Sequence, residues 1–309
     1  MNDLGLMSYF LGLEIVQNEY GIHVSQKKYV EDLLRSYNMI NCRPSVTPLS
    51  PSSKISLFEE AEYADITGFR KLIGKLIYVT QSRPDIAFSV NLLSRFMHQP
   101  TKNQLGVAKQ IFRYLAGTTD FGIYYEKGIK CQLMCYSDSD WGGSLVDRRS
   151  TTGAAFTIGS GIVSWISKKQ DIVTLSSTEA EYVALCSTCC QSMWLKRILS
   201  DCGVQSNEQI GVWCDNKSCI AIAKNPVLHG RTKHIDVKFH FIRELVTENK
   251  IVLNFCNTDA QLADIFTKCL EAKKFCRLRD QLGIYSLQSR GGNVGMNEGC
   301  RGAAAEVEI

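Results

Sequence analysis

Three aspartates stand where apolar runs stop. Asp138 closes one in YSDSDWGG, Asp215 closes another in VWCDNKS, and Asp264 sits among apolar neighbours in QLADIFTK. A carboxylate pressed against apolar sequence is costly to bury unless a cation or a metal compensates it. Acids carried on separate elements that converge supply the hard oxygen ligands Mg²⁺ requires. A pair of such ions, roughly 3.5–4 Å apart, aligns water and leaving group for in-line displacement at phosphorus. Aspartate is also favoured as a turn former and helix cap, and taken singly Asp138 and Asp215 fit those roles.

The surrounding pattern says which elements must position these acids. From Ser45 to Lys54 the segment SVTPLSPSSK is dense in Ser and Pro and reads as a loop after an early strand and helix region. Phe69 to Thr80 reads as a helix, Pro84 opens another, and Thr101 with Gln104 makes a capping-box start for a third, ended by Gly117. Along that third helix Val107, Ile111 and Leu115 define the buried face, with Lys109, Arg113 and Tyr114 turned elsewhere. After Lys130 the pattern changes to strands: CQLMCYSD, then AAFTIG and VSWISKK around a Ser-Gly turn. A long helix from about Thr178 to Asp201 follows, then the strand IGVWCD, helices at Asn216 to Lys224 and His234 to Glu248, the strand IVLNFC, and a final helix from Ala260. That order predicts a mixed sheet with helices on its faces and crevices at strand ends. Asp138 and Asp215 then end strands, and Asp264 lies just inside the last helix.

Composition bounds the class. The 309 residues favour two modules over one. A net charge of +4 permits a polyanionic partner without demanding one. Thirteen cysteines, an odd number at no regular spacing, fit a reduced intracellular setting, cytoplasmic or nuclear, better than a secreted disulfide framework. Cys186, Cys189 and Cys190 have CxxC spacing but lie in a helical pattern, where packing is the expected role. The start MNDLGLMSYFLGLEI has neither the basic region nor the apolar run of a leader or span, so a soluble protein with no membrane partner is expected. The Gly- and Ala-rich tail, residues 285–309, is expected to be disordered.

From about Tyr136 to Leu270 the runs YSDSDWGG, DRRSTTG, VSWISKKQ, LSSTEAEYVAL, CDNKSCIAIAKNPVLHGRTKHIDVKFHFIREL and QLADIFTK occur in order. This stretch resembles the RNase H domain of copia-type retrotransposon Pol polyproteins. The resemblance implies an α/β fold, an RNase H-like mixed five-stranded sheet flanked by helices over residues 131–271. It further implies a catalytic, metal-holding quartet of Asp138, Glu181, Asp215 and Asp264. Two Mg²⁺ ions, replaceable by Mn²⁺, would be held there: one shared by Asp138, Glu181 and Asp215, the second by Asp138 and Asp264. Products would carry 3′-hydroxyl and 5′-phosphate ends.

In STEAEY two glutamates lie two positions apart, nearly opposite on a helix. Glu181 is chosen because it matches the family's Glu-x-x-Ala-Leu with Ala184 and Leu185, leaving Glu179 to cap. Asp140 is read as a local turn former beside Asp138. Many RNase H enzymes carry a histidine before the last acid. Here NFC passes through NTDAQ to LAD without one, which is compatible with slow product release, and His234 and His240 are expected to hydrogen-bond within the fold. The basic pairs Arg148 and Arg149, Lys168 and Lys169, and Arg231 and Lys233 are candidates to bind the backbones of an RNA–DNA hybrid, with 2′-hydroxyls marking the RNA strand. Trp141 and Trp165 fit a groove lining or the core equally well.

MNDLGLMSYFLGLEI and RKLIGKLIYVTQSRPDIAFSVNLLSRF resemble the end of a copia-type reverse transcriptase, giving residues 1–125 as a mainly helical thumb and connection remnant. The Tyr-x-Asp-Asp turn of such polymerases is missing from the sequence, since no two aspartates adjoin. Polymerase activity is therefore not expected. Lys71, Lys75 and Arg95 could clasp duplex, or the region could expose apolar surface that meets other parts of the polyprotein. Two rival readings stay open: a non-catalytic nucleic-acid-binding remnant, and an integrase, whose order of two aspartates then a glutamate differs from the order here.

Overall fold

The computed structural model describes residues 5–204, 208–224 and 233–287, the side chains of 233–239 excepted. The first part of the chain forms β1 (Tyr9–Phe10), β2 (Leu13–Asn18), β3 (Gly21–Ser25), α1 (Lys27–Ser36), α2 (Pro51–Ser56), α3 (Ile66–Val79), α4 (Ala87–Ser94), α5 (Lys102–Ala116) and β4 (Phe121–Glu126). Then come β5 (Leu133–Asp140), β6 (Thr151–Ile158), β7 (Gly161–Lys169), α6 (Ser177–Asp201), β8 (Ile210–Cys214), α7 (Lys217–Lys224), α8 (Lys233–Thr247) and β9 (Ile251–Phe255). The last elements are α9 (Ala272–Gln281) and β10 (Ile284–Ser286).

The strands make two five-stranded sheets, ordered β1-β2-β3-β4-β10 and β7-β6-β5-β8-β9. In the second, β5 pairs antiparallel with β6 and parallel with β8, which in turn is parallel with β9. This is the mixed five-stranded sheet flanked by helices that the sequence implied. The hairpin of β6 and β7 turns at Gly159, whose φ of +60 favours glycine. The sheet's two faces meet different partners. Ala154, Phe156 and Val212 pack with Leu185 of α6 and Ile242 of α8. Ala155 and Ile162 join a second core built from α1, α3, α4, α5 and α9.

The first sheet is an addition to the expected helical module. It closes through β10, which pairs with β4 at the far end of the chain, so Tyr285 and Ser286 belong to a strand although composition assigned them to the tail. Residues 288–309 lie outside the described residues. The Ser- and Pro-rich segment also departs from a plain loop, because Ser50 caps α2 with Pro51 at its first turn. In α5 the capping box of Thr101 and Gln104 forms, and Gly117 is the C-cap.

Tyr114 corrects the reading of that helix. It is fully buried, and its hydroxyl donates to Asp85. Asp85 is itself paired at 2.8 Å with Arg83, which is 1% exposed and also donates to Thr118 O at 2.6 Å. The buried guanidinium and carboxylate satisfy one another, and the tyrosine's polar end is drawn inward to them.

Candidate metal centre

The sheet register places two acids side by side. Ser137 of β5 is opposite Cys214 of β8 in a parallel pair, so Asp138 and Asp215 follow at one level on the same sheet end. Parallel strands whose neighbours change direction open a crevice at their C-terminal ends. Asp138 is 2% exposed and Asp215 half-buried.

Glu181 reaches this level from α6. Ser176 caps that helix by accepting from the Glu179 N–H, and the Glu179 Oε2 in turn accepts from the Leu175 N–H at 2.7 Å. The cap thus consumes Glu179. Glu181, on the opposite side, points at the sheet, where its Oε1 accepts from the Ser139 N–H at 3.2 Å. Its Oε2 is buried with no hydrogen-bond partner among the described residues. Burial, then the charge of Asp138, Cys214 and Asp215, push the Glu181 carboxyl well above its ordinary value.

Asp264 arrives differently from expectation. The final helix does not run on from Ala260. A short 3-10 turn spans Thr258–Ala260, a second spans Leu262–Phe266, and α9 starts only at Ala272. Gln261 diverts the chain: its Nε2 donates to Ser137 O at 3.0 Å while its Oε1 accepts from the Ala263 N–H at 3.2 Å. Thr267 then stops the turn, its hydroxyl donating to Asp138. Gly153, opposite Asp138 on β6, lets this turn settle on the strand, since a Cβ there would lie 2.8 Å from Ala263 O. Oxygens of Asp138, Asp215 and Asp264 lie within 4.8 Å of one another, and Glu181, Cys214 and Asp215 form an overlapping group of the same span. All four acids expected from the sequence therefore meet at one end of the sheet.

Two lysines that sequence reasoning missed sit among them. Lys268 Nζ is 2.8 Å from Asp264 Oδ1 and 3.5 Å from Asp138 Oδ2, and Lys274 Nζ is 2.7 Å from Asp264 Oδ2. Burial alone lowers Lys268, but Asp138 and Asp264 outweigh it and hold the ammonium above its usual range. Asp264 is raised by burial and by Asp138, with Lys268 opposing. The spacing of four from Asp264 to Lys268 was a readable signal for a pair. Lys274 had none, because α9 comes back to the site only through tertiary packing. Thr258 was missed too; its hydroxyl donates to Asp215 Oδ2 at 3.0 Å.

Asp140 is more than a turn former: its carboxylate accepts from the N–H of Thr151, its partner across β5 and β6. The basic candidates do not gather as a set. Arg149 and Lys169 both pair with Asp147, at 3.7 and 2.7 Å, Lys168 faces Asp171 at 3.7 Å, and Arg148 is exposed with φ +56. Arg231, and the side chains of Lys233 and His234, lie outside the described residues. His240 is exposed. Trp141 is 56% exposed, its indole donating to Thr174 O at 3.3 Å, whereas Trp165 packs against the core shared with α1, α3, α4, α5 and α9. Cys189 is buried, Cys186 half-buried and Cys190 exposed.

A Pol polyprotein from transposon RE1 of Arabidopsis thaliana is 40% identical over 278 residues, which is 90% of this chain and 19% of that protein. One from transposon TNT 1-94 of Nicotiana tabacum is 38% identical over 296 residues, 93% of this chain and 22% of that protein. The chain belongs to the copia-type retrotransposon Pol family. It spans about a fifth of the length of these polyproteins, 19% and 22%. An uncharacterized mitochondrial protein of Arabidopsis thaliana is 41% identical over 194 residues, covering 63% of this chain and 80% of its own length. No family model matches the chain.

Among solved structures, a foamy viral protease-reverse transcriptase in complex with double-stranded DNA aligns over 81% of this chain and 37% of its own at 9% identity, TM-score 0.48. LC11-RNase H1 in complex with an RNA/DNA hybrid aligns over 44% of this chain and 94% of its own at 16% identity, TM-score 0.33. Among the described residues, no helix is long and apolar enough to cross a membrane.

Proposed function

We propose that this Pol segment is an RNase H-type endonuclease that hydrolyses the RNA strand of an RNA–DNA hybrid. The observation that carries the reading is the meeting of Asp138, Glu181, Asp215 and Asp264 at one sheet end, in overlapping groups whose ligand atoms span no more than 4.8 Å. Four carboxylates are far more negative charge than a mostly buried site retains without cations. Lys268 and Lys274 offset part of it, and the buried Oε2 of Glu181, which has no hydrogen-bond partner among the described residues, is a ligand atom in waiting. The donor set is oxygen-rich and fits Mg²⁺ or Mn²⁺. Asp138, Glu181, Asp215 and Asp264 would hold two such ions, which when bound activate water and neutralise charge at the scissile phosphate.

The chain's own groups define the rest. Gln261 and Thr267 fix the turn that carries Asp264, and the Thr258 hydroxyl orients Asp215. Exposed Arg148 and Lys168 are the basic-pair members available to phosphates, and Lys71 and Lys75 are exposed on α3. Arg95 is committed elsewhere, donating to Asn91 and to Thr151 of β6, so it joins the two parts of the molecule in place of contacting duplex. A non-catalytic hybrid-binding protein is the second reading, favoured by the two ammonium groups already on Asp264. The deciding experiment incubates the chain with hybrid labelled on the RNA strand and Mg²⁺, beside Asp215→Asn. Cleavage by the parent alone supports the nuclease; an intact RNA strand with both rejects it.

A further inference from the structure

Sulfur lies against the oxygen cluster. β8 ends on Cys214, immediately before Asp215, and α7 brings Cys219 back to the same strand end. Both thiols are fully buried, and Asn216 ties the two residues together: its N–H donates to the Cys214 sulfur at 3.4 Å, and its Oδ1 accepts from the Cys219 N–H at 2.9 Å. The Cys214 sulfur, an Asp215 oxygen and a Glu181 oxygen lie within 4.8 Å of one another. Hydrolysis by hard, oxygen-liganded ions uses none of this sulfur. A thiolate instead selects ions of the zinc class, which prefer four ligands in a tetrahedron at about 2.0–2.3 Å, with ligand atoms roughly 3–4 Å apart. Closing the observed cluster to that size takes a contraction of only about 1 Å. Independently of the thiols, Glu181 is 6% exposed and its Oε2 has no hydrogen-bond partner among the described residues.

We propose that Cys214, Glu181 and Asp215, with Cys219 supporting Cys214 from α7, form a second metal site, which takes one thiophilic divalent ion and thereby withdraws Glu181 and Asp215 from the acid quartet. On binding, the Cys214 thiol releases a proton to solvent and becomes a thiolate. The Cys214 sulfur, one oxygen from each carboxylate and a water complete the tetrahedron. Mg²⁺ does not compete for the sulfur, so the two ions compete only through the shared carboxylates. The consequence for hybrid cleavage rests on the nuclease reading; the site itself does not.

Cadmium is the probe, because its thiolate complexes give a sulfur-to-metal charge-transfer band in the ultraviolet. The full chain, kept reduced with a phosphine, is titrated with Cd²⁺ in excess Mg²⁺. A tight phase of one ion per chain is expected. It should weaken in Cys214→Ser, which removes a ligand, by more than the roughly 10–100-fold that loss of an outer-shell partner costs, and in Cys219→Ala by about that much. It should persist in Cys202→Ser, an exposed cysteine outside the cluster, and in Asp264→Asn. Circular dichroism of each variant shows which are folded, and Cys219→Ala serves if Cys214→Ser is not. The same tight phase in either folded thiol variant overturns the site. Full cleavage by cadmium-saturated chain overturns the withdrawal of Glu181 and Asp215. Absence of cleavage with Mg²⁺ alone is instead a failure of the nuclease reading and leaves the spectral result standing.

Discussion

Glu179 and Glu181 are two positions apart and answer to different partners. One closes the first turn of α6 and the other faces Asp138 and Asp215. Glu181→Gln should therefore lower hybrid cleavage by about 100-fold or more, as removal of a group that stabilises developing charge does. Glu179→Gln should leave cleavage within about twofold and cost about 1 kcal/mol of stability through the weakened cap. Equal rates for the two variants would show the register to be wrong. Asp140 gives a test of another kind. Burial raises its carboxyl from 3.8 to about 6, against the opposing pull of the Thr151 N–H and of Lys54. The folded-state value exceeds the unfolded one, so the stability this group contributes is complete below 3.8 and lost as pH rises through about 6. Asp140→Asn removes that loss. In chelator, the variant should gain up to about 3 kcal/mol over the parent near pH 8 and nothing near pH 3.5, read from urea melts. A gain independent of pH would contradict it. Asp138 and Asp215 were legible because strand ends and acids are both local features. Lys268 was legible only through its spacing of four from Asp264, whereas Tyr114 and Lys274 were not legible, since each owes its position to a charge brought in from elsewhere in the fold.

The elements follow the same division. The capped α5, the α6 start and the hairpin of β6 and β7 were readable because caps and turns are written within a few residues. The stretch after β9 was misread because its course is set by Gln261 reaching Ser137 and Thr267 reaching Asp138, both more than a hundred residues away. Close approach of that stretch to β6 needs a residue without a side chain at position 153. Gly153→Ala should push the Asp264 turn off the strand, costing about 1–3 kcal/mol by overpacking and weakening metal uptake along with it. An alanine variant with unchanged Mn²⁺ affinity would show that the turn is not held by this contact.

On the scale of the whole molecule, the sheet carrying the acids is not separate from the first part of the chain. Ala155, Ile162, Phe266, Phe275 and Ile284 lie in one core with Phe112 and Leu115 of α5. Phe275 meets Tyr114 edge-on at 5.6 Å, and Lys274, next to it on α9, holds Asp264. The first part of the chain therefore buttresses the candidate metal centre, beyond the role of a helical remnant that its sequence implied. Pairing of β10 with β4 was invisible in the sequence because sheet partners far apart in the chain leave no local mark. The Arg83–Asp85 pair anchors this shared core. Asp85→Ala, which leaves the buried guanidinium unpaired, should cost about 3–5 kcal/mol in urea unfolding and lower the stability of both sheets in one transition. Two separated transitions would show that the cores are independent. The central claim is that four carboxylates gather to hold two divalent ions. Titration calorimetry with Mn²⁺, in the presence of RNA–DNA hybrid, tests it most directly. Uptake of two ions per chain, lost in Asp138→Asn, is the expected result, and no uptake by the parent chain contradicts it.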